Sequence, residues 1–167
     1  MRIKTLKEVV ESYCPPRISD VHILFGEPKQ EEIPDIDTIR KQDAANLLEL
    51  EKYIEPIPRQ VFDRAGHDLW YLIRSMTWRV SPSPIRILSQ SHEDPIALWS
   101  WNRTRIEQEL RNQDHEQIAD NYRGFYMSGW DLFLSEFKSL SAYRNVVTHG
   151  YNLLKQCLDE GKKISRR

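Results

Sequence analysis

Apolar positions recur at helical spacing along most of the chain, and the interruptions fall at proline and glycine clusters. The stretch IKTLKEVVESYC (3–14) has this period and is stopped by Pro15 and Pro16, because proline cannot extend a helix and biases its predecessor away from one. DVHILF (20–25) reads as a short strand or extended segment, with His22 on its polar side. Residues 26–38 are acidic, contain Pro28 and Pro34, and read as a loop. TIRKQDAANLLELEKYI (38–54) then predicts a helix capped by Asp37 or Thr38 and ended by EPIP.

A second helix is expected over 59–79, where Phe62, Ala65, Leu69, Ile73 and Met76 form a core stripe that Gly66 weakens slightly. SPSP (81–84) breaks the chain. DPIALW starts a further helix, with Asp94 as cap and Pro95 at the first helical position, running to about Ala119. Another is expected from Ser128 to the motif YRNVVTHGY (143–151), and after Gly150 a last helix ends near Gly161. The pattern amounts to a mostly α fold, one helical-bundle domain over 1–167 with an irregular insertion at 15–37 and a basic tail at 162–167.

Composition supports one folded domain: 167 residues, 40% hydrophobic and 29% charged, suffice for a real core without metal or disulfide staples. No apolar run approaches a membrane span and residues 1–15 lack a signal-peptide core, so no membrane partner and a cytoplasmic location are expected. Cys14 and Cys157 sit in helix-like apolar patterns and read as buried free thiols. A net charge of -1 excludes a broadly basic surface for bulk nucleic-acid binding. The charge is uneven, acidic over 27–55 and basic over 138–167. GKKISRR, with Lys162 and Lys163, is therefore either a phosphate-contacting arm or a solvated terminus.

The candidate chemistry lies at 143–151. Trp130, Phe133, Phe137 and Leu140 follow one another at helical spacing, and the next position on that stripe is Arg144. A guanidinium following a packed face must find a carboxylate, a carbonyl or an external anion. His149 is five residues on, roughly 140° around an ideal helix from Arg144. Either the helix ends near Thr148 and His149 turns back, or two copies pair and their motifs face each other. Arginine and histidine together suit RNA phosphodiester cleavage, the imidazole moving protons near neutral pH and the guanidinium stabilising charge on the phosphate. No metal or cofactor is required. Asn145 would orient the imidazole or hold the phosphate. The same cluster also reads as an ordinary helix C terminus, its basic groups near the last carbonyls and Gly150 in a left-handed turn.

RNVVTHGY resembles the signature of the HEPN superfamily of small helical RNases, in which arginine, usually followed by asparagine, precedes histidine by a short spacer. The resemblance implies an HEPN-like bundle and a metal-independent endoribonuclease that works as a homodimer with a composite site. Arg144, Asn145 and His149 match the arginine, asparagine and histidine. His149, Gly150 and Tyr151 further resemble the histidine-any-tyrosine ending of toxins in HEPN/MNT toxin-antitoxin pairs, where an antitoxin attaches AMP to the tyrosine. That implies a regulatory role for Tyr151 and an antitoxin or larger defence-complex partner. The match is specific over about nine residues and only architectural over 38–161. The N-terminal 37 residues and proline-rich stretches depart from a minimal toxin of this type.

Arg64, His67, Tyr71, Arg74 and Trp78 form a second stripe that would track a phosphate backbone and stack a base, or serve as ordinary half-buried surface. Asp63 and Asp68 oppose phosphate there. SHED (91–94) and DHE (114–116) fit caps and turns better than metal sites. In LWSWNRTR (98–105), Trp99, Trp101, Arg103 and Arg105 would bind nucleic acid, but packing and stem burial explain Leu98, Trp101 and Arg105 better. The functions to distinguish are an endoribonuclease of a toxin or defence system acting on RNA, a non-catalytic dimerisation, nucleotide-binding or protein-interaction module, and an RNA-binding module without chemistry.

Overall fold

The computed structural model describes residues 35–166. The helix expected at 3–14, the extended segment with His22, Cys14 and most of the acidic loop lie outside the described residues. Within them every regular element is helical and no strand occurs, so the fold is mostly α.

Helix α1 (Ile36–Leu48) begins at Asp35, whose carboxylate accepts from the Thr38 backbone N–H at 2.8 Å and its hydroxyl at 2.8 Å. The cap therefore precedes the expected Asp37 or Thr38. After Glu49 the chain continues as α2 (Leu50–Ile54) and α3 (Ile57–Asp63), so EPIP ends one helix and starts another. The single helix expected over 59–79 is two, α3 and α4 (Asp68–Val80). The first helix ends at Asp63, where Arg64 turns extended at φ -123°, and Gly66, at φ +55°, takes a conformation that glycine adopts without penalty in the turn leading into α4. Phe62, 91% exposed, and Ala65 consequently leave the stripe, whereas Leu69, Ile73 and Met76 stay in the core.

SPSP both breaks the chain and opens α5 (Ser83–Leu88), with Pro84 in its first turn and buried. Asp94 caps as expected, accepting from the backbone of Ile96 and Ala97 at 3.1 and 3.0 Å, but it starts only a 3₁₀ turn (Ala97–Ser100). Asn102 then caps α6 (Arg103–Asn112), accepting from Arg105 N at 2.9 Å. Helix α7 spans Glu116–Leu134 and α8 spans Leu140–Ile164. The expected boundaries near 119 and 128 thus fall inside α7. The real break is at 135–139, where Glu136 and Phe137 take φ of 52° and 60°.

The core lies between α7, α8 and α4, with α1 and α2 against the later turns of α8. Met76, Leu132, Tyr143, Val146, Leu153 and Leu154 are essentially inaccessible. Gly150 is what lets the three central helices close: a Cβ there would sit 2.2 Å from Met76 Sδ and 2.9 Å from the Phe125 ring.

Candidate functional site at the α7–α8 groove

The motif lies inside α8, which passes through Gly150 without interruption. The helix end expected there does not exist. Gly150 serves close packing rather than a left-handed turn, because the space beside it is occupied by Met76 and Phe125. Tyr143, Val146, Val147 and Gly150 face the core, Arg144, Asn145 and Thr148 are exposed, and His149 and Tyr151 are half-buried.

Arg144 does not follow a packed face. Trp130 and Phe133 belong to α7, are 56% and 55% exposed, and are separated from α8 by the turn at 135–139. Leu140, one turn before Arg144, is 58% exposed. The guanidinium has no hydrogen-bond or ion-pair partner among the described residues. Because the helix is continuous, Arg144 and His149 stay roughly 140° apart about its axis. They bracket an arc that carries the exposed Asn145, Thr148 and Asn152. One chain places both groups beside the same polar strip but does not bring them together.

His149 leans from α8 onto α7. Its Nδ1 is 3.1 Å from Asn121 Oδ1, and its ring covers Gly124, where a Cβ would come within 2.6 Å of it. The Asn121 amide nitrogen donates to the Gln117 carbonyl at 3.0 Å and to Gln156 Oε1 at 3.1 Å. Gln156 in turn donates to Gln117 Oε1 at 3.3 Å. None of Gln117, Asn121, Gly124 and Gln156 stands out in the sequence. Their sole signal is four- and seven-residue spacing along two helices, which any solvated helix face shows.

Gln117 and Gln156 also line an open groove of about 390 Å³ with Asp114, Glu116, Asp159 and Glu160. His115 and Lys163 line it too, Lys163 already paired with Glu160, so the carboxylates prevail and oppose a phosphate, whereas the arc between Arg144 and His149 carries Asn145, Thr148 and Asn152 and no carboxylate.

Comparison with protein-family models, curated proteins and solved structures finds no match.

The second stripe is only partly continuous. His67, Tyr71, Arg74 and Trp78 line the solvent side of α4 and its entry, with the His67 and Tyr71 rings edge to face at 6.1 Å. Arg64 is exposed in the extended break after α3. The basic tail is shorter than expected, because α8 includes Lys162 and Lys163. Lys162 pairs with Glu51 and Lys163 with Glu160, both at 2.6 Å, so these ammonium groups already face carboxylates.

Among the described residues no three His, Cys, Asp or Glu side chains are grouped to hold a metal ion. In SHED, His92 Nδ1 lies 2.8 Å from the Asp94 carbonyl, and in DHE His115 is the residue preceding α7. In LWSWNRTR, Leu98 is fully buried and Trp101 half-buried as packing requires, but Arg105 is exposed and only lays its guanidinium over the Trp101 ring at 3.7 Å. Cys157 is a buried free thiol, and burial pushes its ionisation up. No described helix is long and apolar enough to cross a membrane.

Proposed function

We propose that the protein is an endoribonuclease whose proton transfer is carried by His149 and whose phosphate charge is met by Arg144. The observation that carries this function is the pairing of Asn121 with His149, beside a strip that begins at the unpaired Arg144. An imidazole held at one nitrogen keeps the other for substrate. An exposed guanidinium without an internal carboxylate is ready for an external anion. The resemblance of RNVVTHGY to the HEPN signature supports the same chemistry.

In this reaction the ribose 2'-hydroxyl attacks the adjacent phosphorus while its proton passes to an imidazole. The bond from phosphorus to the 5'-oxygen breaks and that oxygen takes a proton from an imidazolium. The products are a 2',3'-cyclic phosphate and a 5'-hydroxyl, and DNA, lacking the 2'-hydroxyl, is no substrate. The groups named supply this chemistry without a metal. Because Arg144 and His149 diverge around α8, the complete site takes two copies, Arg144 of one meeting the phosphate beside His149 of the other. Asn145 completes the phosphate contacts. Arg64, His67, Tyr71 and Arg74 extend the path of the RNA strand, and Tyr151 is the regulatory position in a toxin or defence system.

The exposed Trp130, Phe133, Leu134 and Leu140 favour a second function, a non-catalytic module that presents an apolar surface to a protein partner. The two separate in one experiment: cleavage of mixed cellular RNA in excess EDTA by wild type, Arg144→Ala and His149→Ala, each confirmed to be folded. Discrete products with cyclic phosphate ends from the wild type alone support the nuclease. RNA left intact at every concentration and pH rejects it in favour of the module.

A further inference from the structure

The hydrogen bonds around His149 determine which of its nitrogens carries the proton. The Gln117 main-chain oxygen can only accept, so the Asn121 atom 3.0 Å from it is the amide nitrogen. Gln156 Oε1, 3.1 Å from the same nitrogen, takes its second N–H, and the Gln156 amide is itself oriented by donating to Gln117 Oε1. The Asn121 side chain is thus fixed from two directions, and its oxygen is the atom that faces His149. That oxygen cannot donate. The contact at 3.1 Å therefore requires a hydrogen on His149 Nδ1. In the neutral ring Nε2 is then the nitrogen with a lone pair. Gly124 beneath the ring lets the imidazole come close enough to α7 to make this bond.

We infer that Asn121 is a positioning residue that holds neutral His149 as its Nδ1–H tautomer, with Nε2 reserved for the proton of a substrate. Asn121 touches no reacting atom and acts only through the imidazole. Its two N–H groups anchor the amide, and its oxygen selects the tautomer. Gln117 and Gln156 hold the selector in place. The effect on rate rests on the proposed ribonuclease function, whereas the tautomer does not.

The test is a two-bond proton–nitrogen correlation spectrum of the ¹⁵N-labelled full chain, at a pH where the imidazole is neutral. The His149 signals are assigned by their loss in His149→Gln. Wild type is expected to show the proton on Nδ1. In Asn121→Leu, which keeps the volume and loses the acceptor, it moves to Nε2, and in Asn121→Asp, which keeps the acceptor, it stays on Nδ1. A wild-type proton on Nε2, or an unchanged tautomer in Asn121→Leu, overturns the inference. RNA cleavage is measured on the same samples, with kcat expected to fall about tenfold to a hundredfold in Asn121→Leu and less in Asn121→Asp. Undiminished cleavage with an altered tautomer overturns the positioning role. Absence of cleavage from every sample rejects the ribonuclease function, and the tautomer comparison then decides the inference alone.

Discussion

The imidazole of His149 lies directly over the backbone of Gly124, so close that a Cβ added there would stand 2.6 Å from the ring. The ring is the movable end of a half-buried side chain, whereas Gly124 is fixed in the middle of α7. Gly124→Ala should therefore displace the ring and break its bond to Asn121 without unfolding the protein. Alanine's helix propensity offsets much of any strain, by about 1 kcal/mol. The expected outcome is a melting temperature close to wild type, altered His149 nitrogen shifts, and RNA cleavage reduced about tenfold or more.

Gly150 makes the opposite case, since its neighbours are buried. Met76 is fully enclosed and the Phe125 ring is packed in the core, so neither can retreat from a new methyl group. Gly150→Ala is expected to destabilise the fold by about 1–3 kcal/mol, partly masked by the gain in helix propensity. Urea denaturation followed by circular dichroism measures it, and a midpoint equal to wild type would show that the helices separate freely at this point.

Arg144 is exposed and has no hydrogen-bond or ion-pair partner among the described residues. Arg144→Ala should leave stability within about 0.5 kcal/mol of wild type. Cleavage should nonetheless be abolished, and Arg144→Lys should restore only part of it, because a point charge cannot reproduce the guanidinium's paired contacts to phosphate. Equal activity in Arg144→Ala and wild type would remove the arginine from the site.

Asp43 and Arg86 form an ion pair at 3.6 Å beneath α1. Burial pushes the Asp43 carboxyl above its ordinary value of 3.8 and outweighs the opposing Ser89 hydrogen bond and Arg86 charge. The folded state consequently retains this proton to higher pH than the unfolded chain, so Asp43 contributes less to stability as pH rises from the ordinary value through the folded pKa. Compared with the Asp43→Asn variant, wild type should lose relative stability from about pH 4 upward, at no more than about 1.4 kcal/mol per pH unit. Paired urea titrations across that range read the slope, and a wild-type advantage that grows with pH would contradict it.

The apolar periodicity by itself determined that the described residues are mostly helical and located Leu69, Ile73 and Met76 in the core, and the Asp94–Pro95 pair marked a cap. Side-chain type, not periodicity, singled out Arg144 and His149, and the periodicity placed Arg144 on a packed face where the structure has it exposed. These features are local, set by a residue and its neighbours within a turn or two. What only the tertiary structure decided is where helices end and which polar groups meet. Gly66 and Gly150 are the same residue, yet one sits at φ +55° in the turn between two helices and the other lies within one. Beside Gly150 the space is filled by Met76 and Phe125, both distant in sequence, whereas the space beside Gly66 is open. Likewise the stripe Trp130, Phe133, Phe137, Leu140 looks continuous, but the positive φ values at Glu136 and Phe137 fold it into two helices and leave Arg144 in solvent. Asn121 carries no mark of its role in the sequence, since a hydrogen bond across 28 residues depends on how α7 is seated on α8.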